Sequence, residues 1–120
     1  MATQRAPSKN AQSAPIFASP ALGVLAGVLG ALGVGLAAVA AHLSDVRAIS
    51  AAAHLALAHA PALLVIAATR IGLSRLGALS GAAMGIGTLV FVVAVIARPL
   101  FSVSFLAPAA PYGGGLVILG

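Results

Sequence analysis

The chain has 120 residues, 62% of them hydrophobic and 6% charged, with six Lys or Arg, one acid and a formal net charge of +5. A soluble fold of this length needs far more charged surface, so a mean hydropathy of +1.18 excludes a soluble globular domain and points to one integral membrane domain. The lack of cysteine rules out disulfides and thiolate metal sites, and the absence of Trp and of any clustered basic face argues against nucleic-acid binding.

Residues 1–14 are polar, with Arg5 and Lys9, and read as a disordered tail ahead of a single transmembrane domain over 15–120. The first apolar run, 20–43, is about 33–36 Å long as a helix, enough to cross a hydrocarbon core of ~30 Å. Pro20 suits its first turn, where a missing N–H costs nothing. Ala38-Val39-Ala40 imitates a signal-peptide cleavage site, but the run far exceeds the 7–15 residues of a signal h-region. An uncleaved membrane helix is therefore expected.

The second run covers 49–69 and the third 76–97, each about the ~20 residues that a span requires. Short links over 44–48 and 70–75 make neighbouring helices antiparallel, with Ser44 and Ser74 as N-caps. After Arg98-Pro99 the pattern becomes irregular. Phe101, Phe105 and Tyr112 are interleaved with Pro108 and Pro111, and Gly113-Gly114-Gly115 follows. This predicts an interfacial segment with aromatics at headgroup depth. It leads into a partial or truncated fourth helix over 103–120, or one broken helix over 101–120. The expected fold is an all-α integral membrane bundle with three clear spans.

Arg5, Lys9, Arg70 and Arg75 share one side of the membrane and Arg47 and Arg98 the other. That asymmetry predicts a multi-pass protein of the cell's inner (plasma) membrane with a cytoplasmic N-terminus. The scattered cations suit anionic lipid headgroups.

Small residues recur every fourth position in two runs: Gly23, Gly27, Ala31 and Gly35 in the first, Gly77, Gly81 and Gly85 in the third, with Gly87 nearby. In lipid, close backbone approach brings helices together, and small residues four apart permit it. The motif suits packing within a subunit and self-association alike.

Three histidines are the ionisable groups of the spans. A hairpin would bring His42 and His54 to similar depth, while His59 lies about 7.5 Å deeper and roughly 140° around the helix from His54. Axial haem ligation and proton relay are alternatives to a structural role, in which neutral imidazoles donate to backbone carbonyls between helices. Pro61 favours the structural role for His59, because it frees the carbonyl of Leu57. No cofactor or metal is expected. Asp45 beside Arg47 reads as a solvated loop pair, and a lone carboxylate cannot support paired acid–base chemistry. The triple glycine lacks the lysine and following helix of a phosphate loop.

The order of features resembles the domain-of-unknown-function family 423. A Gly/Ala-rich first helix ends in Ala41-His42. The second helix carries His59-Ala60-Pro61-Ala62-Leu63-Leu64, the third contains Leu89-Val90-Phe91, and the element Pro111-Tyr112-Gly113-Gly114 follows. The resemblance covers roughly residue 22 to the C-terminus and implies a small multi-pass membrane fold, with His42, His59, Pro111, Gly113 and Gly114 carried over. The chain departs from the pattern in places. Ala40-Ala41-His42-Leu43 stands where the family has Gly-Ala-His-Gly. His54, Leu55 and Ala58 replace aromatics and an arginine, and Val92-Val93-Ala94 replaces Ser-Gly-Ser. The family also continues into a full fourth helix. These departures remove polar groups.

Without a catalytic set, the expected role is a non-catalytic packing or accessory subunit, in a homo-oligomer or with other membrane subunits, its immediate partner being the lipid bilayer. A small transporter or channel component is one alternative. A haem-binding electron-transfer subunit using His42, His54 or His59 is another.

Overall fold

Helix α1, Pro20–Ala40, places Leu22, Ala26, Leu29, Gly33 and Leu36 on its buried face. The spacing alternates between four and three residues, which keeps a stripe nearly straight along a helix. Helix α2, Arg47–Ala68, buries Ile49, Ala53, Ala56, Ala60, Leu63 and Ala67 with the same alternation. Two seams of this kind match along their whole length, and α1 and α2 form the most extensive helix pair. The computed structural model describes residues 18–44, 47–102 and 104–120; the expected N-terminal tail and the Asp45 loop pair lie outside them.

The two helices are antiparallel. At one end Leu22, Ala26 and Leu29 pack with Ala60, Leu63 and Ala67. At the other, Leu36 packs with Ile49, Ala52, Ala53 and Ala56. The first end is also tied through the backbone, where Ser19 N–H donates to the Ala67 carbonyl at 3.0 Å.

A 3₁₀ turn, Arg70–Leu73, leads into α3, Arg75–Phe101. Ser74 Oγ accepts from Gly77 N–H at 2.9 Å, the expected cap of an orphan helix-start donor. α3 lies against α2 and touches α1, adding Met84 and Leu89 to the first core cluster and Val92 to the second. It continues beyond the predicted end at residue 97, through Pro99 to Phe101. A proline this near a helix end disturbs only the last turn.

The chain turns at Ser102, whose φ of 57° lies in the left-handed region. A 3₁₀ turn, Ala107–Ala109, then precedes α4, Ala110–Leu119, with Pro111 in its first turn. The fourth helix therefore starts at Ala110, later than the expected 103, with a turn and a short 3₁₀ segment between it and the end of α3 at Phe101. α4 packs on α3, which separates it from α2.

α1, α2 and residues 75–97 of α3 are each long and apolar enough to cross a membrane, and α4 is shorter. Arg47, Arg70 and Arg75 are exposed at the helix ends, where cationic side chains can reach headgroups. Among the described residues the fold is an α-helical membrane bundle, three spans plus a short fourth helix. α1 ends at Ala40, three residues earlier than predicted, with Ala41 and His42 in a turn.

Candidate functional site

The stripe on α3 points inward. Gly77, Gly81, Gly85 and Gly87 are all buried. A Cβ built on Gly81 would stand 2.9 Å from Leu22 Cδ1, and one on Gly85 would stand 3.0 Å from Leu25 Cγ and 3.1 Å from Leu63 Cδ1. A Cβ on Gly77 would meet the backbone of Ile71, its carbonyl carbon at 2.7 Å. These glycines let α3 sit down on α1, α2 and the preceding turn.

The stripe on α1 points outward. Gly27, Ala31 and Gly35 are exposed and Gly23 is half-buried. A Cβ on Gly27 or Gly35 would meet nothing within 4 Å. The stripe opens onto two apolar furrows of about 420 Å³ each. Gly23, Gly27, Pro61 and Leu64 are among the residues lining one, and Val28, Ala31, Leu32 and Gly35 among those lining the other.

The α1 glycines that do serve the fold are Gly30 and Gly33, which the four-residue reading passed over. A Cβ on Gly33 would stand 2.6 Å from Leu57 Cγ, and one on Gly30 3.7 Å from Ala60 Cβ. For Gly33 the signal is the alternating four-three spacing of Leu22, Ala26, Leu29, Gly33 and Leu36.

At the α3–α4 crossing Gly113 is buried against Gly87 and Phe91. A Cβ on Gly113 would stand 2.6 Å from Phe91 N and 2.8 Å from Gly87 O, and one on Gly87 would stand 2.8 Å from Gly113 O. Backbone meets backbone from both sides. Pro111 is in the first turn of α4, a Cβ on Gly114 would stand 3.8 Å from Phe91 Cδ2, and Tyr112 is 75% exposed. The Pro-Tyr-Gly-Gly element thus combines a helix start with a helix-crossing point. Ser80 Oγ donates to the Gly120 carbonyl and joins the far end of α4 to α3.

The histidines do not converge. His42 is exposed in the turn after α1. His54 is exposed on α2 and its Nδ1 lies 2.7 Å from the Ser50 carbonyl. His54 neighbours Ala53, which packs with Leu36, so His42 sits about two turns away along the bundle and not at His54's depth. His59 is half-buried near the middle of α2, its Nδ1 2.8 Å from the Leu55 carbonyl. Both rings therefore fold back onto their own helix instead of bridging helices, as helical rotamers direct them. The Leu57 carbonyl freed by Pro61 is not the partner of His59. Thr88, fully buried, donates its hydroxyl to the Met84 carbonyl at 2.7 Å. Among the described residues no group of three or more His, Asp or Glu is placed to hold a metal ion.

Residues 29–114 match the family model described as a protein of unknown function, DUF423. The chain belongs to the DUF423 family. The matched region runs from the middle of α1, through all three histidines, to the second glycine of the Pro-Tyr-Gly-Gly element. It takes in Gly33, Gly87 and Gly113, three of the close helix crossings, together with the histidines. No curated protein and no solved structure matches the chain. The DUF423 chain is thus a small membrane protein whose family carries no assigned activity.

Proposed function

We propose that this DUF423 protein is a non-catalytic packing subunit of the inner (plasma) membrane, with its N-terminus in the cytoplasm, and that it forms a homo-oligomer through the outer face of α1. The observation that carries this reading is the open space over Gly27 and Gly35, small positions set between the exposed Val24, Val28 and Val34 on the outer face. In hydrocarbon such a face gains nothing from the hydrophobic effect, because lipid tails are as apolar as leucine. Its distinctive property is that it lets another backbone approach closely, with dispersion contacts along both helices. Large side chains would cover α1 equally well if lipid were its only neighbour. The orientation rests on the four-to-two distribution of basic residues between the two sides.

Native mass spectrometry of the protein released gently from its own membrane tests this. The expected result is a small multiple of the chain mass that falls to a monomer in Gly27→Leu. A bare monomer for the unaltered chain would overturn the reading. Foreign subunits in the particle would replace self-association with an accessory role in another complex.

A further inference from the structure

We propose that His59 of one copy accepts a hydrogen bond from the hydroxyl of the partner's Tyr112, so that α2 of one subunit packs against α4 of the next. The contact rests on the self-association proposed above and adds a second, polar interface to it.

His59 Nδ1 lies 2.8 Å from the Leu55 carbonyl. A carbonyl can only accept, so Nδ1 carries a proton, and the neutral form of the ring has a bare acceptor at Nε2. Among the described residues no donor reaches that nitrogen. His59 is also near the middle of a helix that spans the membrane, where water is scarce and an unpaired polar atom is costly. Tyr112 is the complementary case. It is the one tyrosine of the chain, it is 75% exposed, and no described residue pairs with its hydroxyl. A phenol is a good donor and, unlike a charged group, tolerates hydrocarbon.

The two side chains lie at the same depth. Leu63 of α2 meets Gly85 of α3. His59 is four residues from Leu63 toward the start of α2, and α3 runs antiparallel, so His59 stands level with Leu89. Gly113 of α4 sits between Gly87 and Phe91 of α3, which places Tyr112 within about one turn of that level, inside the span and not at the headgroup depth expected of it. Within one subunit α3 separates α2 from α4, so the pair is not made internally. Copies related by an axis along the membrane normal share one depth scale, and a donor and an acceptor at equal depth on different flanks are positioned to meet. The contact is head-to-tail and would propagate into a closed ring.

The cysteine-free chain permits a direct test. His59→Cys and Tyr112→Cys, each carrying a different tag, are co-expressed and their membranes treated with a membrane-permeant oxidant. The expected result is a mixed dimer at least several-fold more abundant than that from His59→Cys with Ile118→Cys, an exposed α4 position about 9 Å away along the helix. A Gly27→Cys self-pair reports independently on the α1 face. If it crosslinks while 59 and 112 show no excess, self-association stands and the His59–Tyr112 contact is overturned. If neither pair forms, both fail. Tyr112→Phe keeps the ring and removes the donor, and should weaken association roughly 3- to 15-fold, the range of intramembrane hydrogen bonds. An unchanged association constant would also overturn the proposal.

Discussion

The stripes of α1 and α3 share one spacing and meet opposite surroundings. Gly77, Gly81 and Gly85 are covered by Ile71, Leu22, Leu25 and Leu63, whereas Gly27 and Gly35 face open space. A strict four-residue repeat advances 400° per step and so rotates about 40° around the helix each time. Over Gly23 to Gly35 it turns through about 120° and leaves any one neighbour. α3 uses its stripe because it has several neighbours to reach in succession, first the turn before it and then α1 and α2. α1 is already committed to α2 through a straighter seam, so its rotating stripe is left on the outside. Small-residue spacing therefore marks where a backbone can approach, and the remaining topology determines whether one does.

The largest effect should come from filling the α3–α4 crossing. Gly113→Val would drive a side chain into Phe91 N and Gly87 O, backbone atoms that cannot step aside. A loss of about 3 kcal/mol or more is expected, read as a lower unfolding midpoint in detergent together with proteolytic exposure of α4. A wild-type midpoint would show that α4 contributes little to the fold.

Gly85→Leu breaks the buried stripe against side chains that can yield in part. Its expected cost is about 1–3 kcal/mol, with Gly33→Ala in the same range, since its methyl would meet Leu57 Cγ at 2.6 Å and the Leu57 backbone N at 3.1 Å. Gly27→Leu is the matched change on the open stripe. Monomer stability should stay within about 0.5 kcal/mol while the oligomer dissociates. Should Gly27→Leu and Gly85→Leu lower the midpoint equally, the division between an inner and an outer stripe fails. The smallest effect is assigned to Thr88→Val. The Thr88 hydroxyl supplements a carbonyl within its own helix, so less than about 1 kcal/mol should be lost, measurable by the same thermal scan.

Much of the fold was legible along the chain. The charge-free runs located three spans, Pro20 and Ser74 located helix starts, and the order of His42, His59 and the Pro-Tyr-Gly-Gly element pointed to the family. Three features were harder to read. α3 passes Pro99 because only one turn remains to disturb, so the proline marked no boundary. Gly30 and Gly33 were hidden by the more regular repeat beside them. The histidines suggested a shared site by being few and close to the spans, yet His42 lies exposed in a turn and His54 and His59 each bond to the nearest carbonyl on their own helix, an attraction that sequence spacing alone does not rank against a partner on another helix.

The sequence by itself determined that this chain is an α-helical membrane protein, since hydrocarbon forces every spanning backbone to satisfy its own hydrogen bonds and only long apolar helices do so here. It also determined which positions are small enough for close approach. Tertiary structure alone decided which of those positions are filled: Gly81, Gly85, Gly87 and Gly113 inside, Gly27 and Gly35 outside. The reason is geometric. A helix has a full circle of faces, and which of them meets a neighbour depends on where the other helices stand, a relation that no single helix's sequence contains.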